Sequence, residues 1–210
     1  MKPKPYLFLD LDEMMFATLQ HMVDYINKRH GINSTIHDHI GQNDTLDSVI
    51  KRYNKDYNLS WGETYMDVGI NFHASLEIHK NVLPMEGMPE AVKQLSKKYR
   101  LVVVTARQKA GYEVIRYLLN KHVPGCITHI HCVWEHIGNG RFNEIMSKRK
   151  FIESVSGKKT GFIDDSVHEI KKLMSVLDCY LFDPTNLHES VPGIPNRVHG
   201  WDHIHNTFLR

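Results

Sequence analysis

The stretch YLFLDLDE, residues 6–13, passes from four apolar residues directly into two aspartates, Asp10 and Asp12, spaced two apart. An apolar run of that length with no polar face is the pattern of a strand buried on both sides. Four more short runs follow, at residues 101–104, 127–133, 161–163 and 180–182. Helical spacing fills the intervals, at residues 89–99, 111–121, 147–155 and 167–176. In the last of these Val167, Ile170, Leu173 and Met174 share one face. Strands that alternate with helices in this way predict an α/β fold: a Rossmann-like parallel sheet of about five strands with helices on both faces.

One segment breaks the alternation. Residues 14–83 hold no buried strand, and helical signals dominate, as at residues 15–28 and 61–79. The expected organisation is an α/β core of residues 1–13 and 84–210 with a small helical cap, residues 14–83, inserted after the first strand. The segment PMEGMP, residues 84–89, has the prolines and glycine of a hinge back to the core. A long connection at the carboxyl end of a strand borders the ligand crevice of such a sheet.

Composition narrows the class. With 210 residues, 41% hydrophobic and 24% charged, the chain can bury a core without disulfide staples. A formal net charge of +2 is too small to make nucleic acid an obligatory partner. Cys126, Cys132 and Cys179 are an odd set without metal-site spacing and read as free thiols of a reducing compartment. The run at residues 6–9 is too short for a secretion signal or a membrane span. The expectation is a cytoplasmic protein with no membrane partner; pairing with a second copy of the chain stays open.

Three of the apolar runs end in the residue types that phosphate chemistry uses. YLFLDLDE delivers Asp10 and Asp12, LVVVTAR delivers Thr105, and GFIDDS delivers Asp164 and Asp165. The carboxyl ends of parallel strands line one crevice, so four carboxylates and a hydroxyl would meet there. Clustered carboxylates repel and are costly to desolvate, which calls for a cation. An all-oxygen donor set suits a hard ion such as Mg²⁺. Taken singly, each piece has a plainer explanation in helix capping; the order and context of the three together carry the inference.

With these residues in hand, the chain resembles the haloacid-dehalogenase superfamily. Asp10–Met14 corresponds to its first motif, Thr105 to its second, and Asp164 with Asp165 to its fourth. The third motif, a lysine near a helix start, is matched best by Lys148, with Lys150 as the competitor. The stretches LPMEGMPEAVKQLSKKYRLVVVTARQ, FIDDSVHEIKKL and NRVHGWDHIHNTFL resemble the 5′(3′)-deoxyribonucleotidase branch. Met14 departs from the usual Thr or Val, and implies a modified loop beside the nucleophile.

The resemblance implies a Mg²⁺-dependent phosphomonoesterase acting on a small phosphate ester, foremost a nucleoside monophosphate. Asp10 would attack phosphorus to give an aspartyl-phosphate, and Asp12 would carry the proton to the leaving group. Lys148 and Thr105 would bind the phosphoryl oxygens. Asp10, Asp164 and Asp165 would hold the metal, with Asp12 contributing its backbone carbonyl. Arg107 would either meet substrate phosphate or pair with a carboxylate at the surface. Among the cap aromatics Phe16, Trp61, Tyr65 and Phe72, most read as the cap's own core, and Phe16 is the one expected to stack on a base.

The pairs His37 with His39, His129 with His131 and His203 with His205 lack further ligands at metal-site spacing, so hydrogen-bonded histidines are expected over zinc. Two rivals remain: a phosphatase of another small ester or a polynucleotide end, and a binding or regulatory protein that keeps the fold without turnover.

Overall fold

Strand β1, Tyr6–Leu9, forms the middle of a seven-stranded sheet in the computed structural model, which describes residues 3–36, 46–60, 67–138 and 142–210. On one side β1 pairs in parallel with β2, Arg100–Gln108, and β2 with β3, Ile127–His136. On the other it pairs with β5, Lys159–Asp164, followed by β6, Cys179–Phe182, and β7, Arg197–Val198. Strand β4, Phe142–Glu144, closes the far edge antiparallel to β3. The sheet order is therefore β4-β3-β2-β1-β5-β6-β7.

Five of these strands coincide with the five apolar runs. The two additional ones, β4 and β7, are three and two residues long and carry polar residues. Neither offers a buried run, because each sits at a sheet edge. Strand β2 also extends past the apolar run to Gln108, with a break in register between Thr105 and Gln108.

Both faces of the sheet are covered, which is why β1 is apolar throughout. Leu7, Leu9, Leu101 and Val103 pack into one core with Val92, Leu95, Ile115, Leu118, Trp201 and Ile204. These come from the helices Met88–Lys98, Tyr112–His122 and Trp201–Leu209. Phe8, Val102, Val104 and Phe162 pack on the opposite face against Ile152 and Ile170 of helices Lys148–Ser154 and Val167–Leu173. Among the described residues, no helix is long and apolar enough to cross a membrane, and the three cysteines are free thiols.

The described part of residues 14–83 contributes helices and no strand of its own. It contains helices Leu19–His30 and Leu46–Tyr57, a π-helical turn Asp67–Phe72 and a short helix Leu76–His79. Ile26 is buried among Met22, Tyr25, Ile32, Tyr57 and Leu59. Phe72 is fully buried, with Tyr25 and His79 at ring separations of 5.8 and 4.7 Å. Trp61, Tyr65, His37 and His39 lie outside the described residues.

The first cap helix begins at Leu19, not Met15, and the reason lies in the turn after β1. Glu13 adopts a left-handed φ of 52°, and its amide donates to the Phe16 carbonyl. Phe16 bridges both Asp12 and Pro84. Only after this turn does the Glu13 carboxylate accept from the amides of Thr18 and Leu19, each at 2.7 Å, and so cap the helix.

Candidate active site

Asp10 stands one residue past β1, with its amide donating to the Ile163 carbonyl of the neighbouring strand at 2.9 Å. Its side chain is buried. The adjacent strand β5 ends at Asp164, whose Oδ1 accepts from the Ser166 amide at 2.7 Å. That turn places Asp165 beside it and starts the next helix, with Ser166 as N-cap. One carboxylate oxygen from each of Asp10, Asp164 and Asp165 lies within 4.8 Å of the other two.

Lys148 reaches this cluster from the opposite wall. Ser147 caps its helix by accepting from the Lys150 amide, which sets Lys148 as the first helical residue. From there Ile152, one turn on, points into the core while Lys148 turns to the carboxylates. Its Nζ donates to Asp10 Oδ1 at 2.5 Å and to Asp164 Oδ2 at 2.7 Å. Lys150 is exposed. Of the two candidate lysines, only Lys148 touches the site.

The electrostatics of this cluster are unbalanced. Burial works against the Lys148 ammonium, but Asp10 and Asp164 outweigh it and hold the amine charged. One ammonium does not offset three acids. Asp10 is pushed up to about 7 by burial, with Asp164 and Asp12 adding repulsion against the pull of Lys148. Asp165 is raised well above the carboxylate range by burial and by its two acidic neighbours. A site short of positive charge, lined by oxygen donors, fits a hard divalent cation such as Mg²⁺. Asp10, Asp164 and Asp165 are the residues that would hold it; the Asp12 carboxylate is not among them.

Asp12 is engaged elsewhere. Arg107 donates from Nε to Oδ2 at 2.8 Å and from Nη2 to Oδ1 at 2.6 Å, and the Thr18 hydroxyl donates to Oδ1 at 2.7 Å. Burial opposes the charged form, yet the guanidinium holds Asp12 well below the usual carboxylate range. Arg107 thus pairs with a carboxylate, although not at the surface, since it is 3% exposed. It belongs to the extended end of β2 and not to a loop above the sheet. Thr105 is buried, and its hydroxyl oxygen accepts from the Arg107 amide at 3.1 Å. Its own proton stays available for an acceptor such as a phosphoryl oxygen.

One sequence expectation needs correction. Phe16 is fully buried in the sheet core, 5.7 Å from the His122 ring, and shows no face to a ligand. The tight turn at Glu13 rotates it inward, so nearness to Asp12 in the chain does not place it in the crevice. Met14, the departure in the loop beside Asp10, is likewise buried in the core. Its carbonyl accepts from Trp201 Nε1 at 2.8 Å, which anchors the turn after β1 to the last helix.

Glu13, Thr18 and His73 belong to the neighbourhood of Asp12 and were not anticipated. A threonine just before an amphipathic run is a helix-start signal, and it could have placed the cap helix at Leu19. Nothing local marks His73, which arrives from the far end of the cap. Among the histidine pairs, His129 and His131 stack on Phe151, with ring separations of 5.5 and 4.0 Å. His131 Nε2 contacts the Met146 carbonyl at 2.7 Å. The only metal-type cluster among the described residues is the aspartate trio.

Comparison with known proteins gives one kind of likeness. No protein-family model matches the sequence, and no curated protein matches it. Solved structures do. A haloacid dehalogenase-like family hydrolase from Streptococcus pneumoniae superposes with a TM-score of 0.63 at 12% identity, over 99% of this chain and 100% of that one. The chain carries the haloacid-dehalogenase-like fold. The HAD-hydrolase YfnB from Bacillus subtilis, described as bound to magnesium, gives 0.59 at 13% identity over the whole of both chains. CbbY from Rhodobacter sphaeroides, in complex with phosphate, gives 0.63 at 12% identity over 95% of each. At such identities the likeness establishes the haloacid-dehalogenase-like fold and leaves the chemistry to the residues themselves.

Proposed function

We propose that the chain is a Mg²⁺-dependent phosphomonoesterase working through an aspartyl-phosphate on Asp10. The observation that carries this reading is the contact of Lys148 with both Asp10 and Asp164, in a trio of carboxylates whose oxygens lie within 4.8 Å. The fold supports it, since structural neighbours are described as bound to magnesium or phosphate.

A carboxylate that attacks a phosphate anion faces strong repulsion, and nearby positive charge has to offset it. Lys148 supplies one charge, fixed by two hydrogen bonds and so reorganised little during reaction. Bound Mg²⁺ would supply the rest, neutralising phosphoryl oxygens. Asp10 attacks phosphorus, the phosphorus–oxygen bond to the alcohol breaks, and the leaving oxygen takes a proton that Asp12 relays from the ester itself. An ester bound as its monoanion can bring that proton with it, because a phosphate monoester has a second pKa of about 6. Ionised Asp12, the form that Arg107 stabilises, then takes a proton from the water that hydrolyses the aspartyl-phosphate. Thr105 donates to a phosphoryl oxygen.

Among phosphate esters we place nucleoside monophosphates first, on the resemblance of residues 83–108, 162–173 and 196–209 to the deoxyribonucleotidase branch. The test is a panel of nucleoside monophosphates, sugar phosphates and an aryl phosphate, with Mg²⁺ and with chelator, for wild type and Asp10→Asn. Mg²⁺-dependent release of phosphate that Asp10→Asn abolishes supports the reading. Activity that survives the substitution contradicts it.

A further inference from the structure

Three parts of the chain meet over Asp12: the turn after β1, the end of β2, and the cap residues just past the π-helical turn. The seam is tight. The His73 carbonyl oxygen lies 2.9 Å from the position that a Cβ on Gly111 would take, so only glycine fits there without a backbone shift. Two polar atoms at this seam are buried and lack a hydrogen-bond partner among the described residues, Nη1 of Arg107 and Nδ1 of His73. Arg107 spends its other two nitrogens on Asp12, and that pairing fixes where Nη1 points. His73 lies within electrostatic reach of both Arg107 and Asp12. Buried polar atoms are as a rule satisfied. Two orphans beside the proton carrier mark a place for a polar group of a ligand.

We propose that Arg107 Nη1 and His73 Nδ1 form a subsite for a hydroxyl of the leaving alcohol, so that the substrates are phosphate monoesters of hydroxylated alcohols such as sugars and nucleosides. The inference rests on the phosphomonoesterase reading, because Asp12 marks the leaving-group side only in that reaction. With the proton of the neutral imidazole on Nε2, a hydroxyl accepts from the guanidinium and donates to Nδ1 at once, whereas a carboxylate or second phosphoryl group can only accept. Nor does the subsite carry the net positive charge such a group needs. Asp12 already balances Arg107, and His73 is kept neutral, pushed down to about 3 by burial and by the Arg107 charge. Both orphan atoms are covered in this arrangement, so the cap has to lift for the alcohol to enter.

The test compares kcat/KM on glucose 6-phosphate and thymidine 5′-monophosphate with that on phenyl phosphate, in wild type, His73→Phe and His73→Asn. His73→Phe should lower the ratio of hydroxylated to aryl ester by roughly tenfold to a hundredfold, the usual effect of an unmade buried hydrogen bond. His73→Asn, with a polar atom near the place of Nδ1, should recover part of that ratio. Equal fractional losses on all three esters, or an unchanged ratio, would overturn the subsite. If wild type hydrolyses none of the three, the phosphomonoesterase reading fails. The subsite is then decided by the His73 side-chain nitrogen resonances on titration with glucose and thymidine. A shift at Nδ1 supports it, and none with either compound overturns it.

Discussion

Arg107 holds Asp12 with two parallel hydrogen bonds, at 2.8 and 2.6 Å, although 95 residues separate them in the chain. The guanidinium side chain is 1% exposed and the carboxylate 28%, so water screens the pair from one side only. Removing one partner strands the other in a partly dry site. Arg107→Met should therefore lower unfolding free energy by about 1–3 kcal/mol, reduced from the fully buried case by the exposure of Asp12. Arg107→Lys should recover only part of it, since an ammonium cannot make the paired geometry. Urea denaturation of the three proteins measures this; equal stabilities would show that the pair is solvent-screened and holds nothing.

Lys148 and Lys150 are separated by the structure more sharply than by their positions in the chain. Lys148→Ala should cut turnover on the order of a hundredfold or more, as loss of a preorganised charge does. Lys150→Ala, which removes an exposed side chain, should stay near wild type. Asp164, which Lys148 also contacts, gives a metal readout. Mg²⁺ at about a hundred times its Kd stabilises a folded protein by about 2.7 kcal/mol, and Asp164→Asn should forfeit most of that gain. Thermal melts with and without Mg²⁺ test the claim, and an undiminished gain in Asp164→Asn would remove Asp164 from the metal site.

The cap should confer acid sensitivity. His79 is fully buried, and burial together with the Arg107 charge lowers its pKa to about 4. The unfolded chain, with an ordinary histidine pKa of about 6.5, then binds the proton more readily. Stability from this group is complete above about pH 6.5 and is lost as pH falls toward 4, by on the order of 3 kcal/mol. His73, pushed down to about 3, adds a loss of the same sign that also begins at about pH 6.5 and continues below pH 4. His79→Met should reduce the pH dependence of unfolding free energy between pH 6.5 and 4, leaving the share of His73. A slope identical to wild type would mean that His79 is not the group responsible.

Phe16 should behave as a core residue. Phe16→Ala should cost about 3–5 kcal/mol in stability, the range for a buried phenylalanine. At temperatures where the variant stays folded, it should lower kcat/KM for a nucleotide and for an aryl phosphate by the same factor. A selective loss on the nucleotide would restore Phe16 as a stacking surface and require the turn after β1 to open.

Much of the site was readable because its residues close buried strands. An apolar run that stops at an aspartate announces both the strand and the end that faces the crevice, as at Asp10 and Asp164, with Asp12 and Asp165 close behind; Thr105 ends the apolar run of β2, although the strand itself continues to Gln108. Lys148 was legible only through the resemblance to a motif with a lysine near a helix start, which left Lys150 as its competitor until the contacts to Asp10 and Asp164 separated them. Phe16 was misread because a left-handed residue at Glu13 reverses the chain, and φ at a glutamate leaves no mark in composition. Strands β4 and β7 are too short and too polar to carry a period. The meeting of Arg107 with Asp12 follows from the pairing of β2 with β1, and the approach of His73 to both depends on how residues 67–79 seat beside them. No local pattern encodes that.

The central claim is a covalent phosphoryl group on Asp10, and trapping it is the most direct measurement. Wild-type protein with Mg²⁺ and a phosphate ester labelled at phosphorus is quenched in acid during turnover, and the labelled peptide is mapped. Label is expected on the peptide containing residues 6–13, sensitive to hydroxylamine as an acyl phosphate is, and none in Asp10→Asn. Steady turnover without protein-bound label, or label retained in Asp10→Asn, would contradict it.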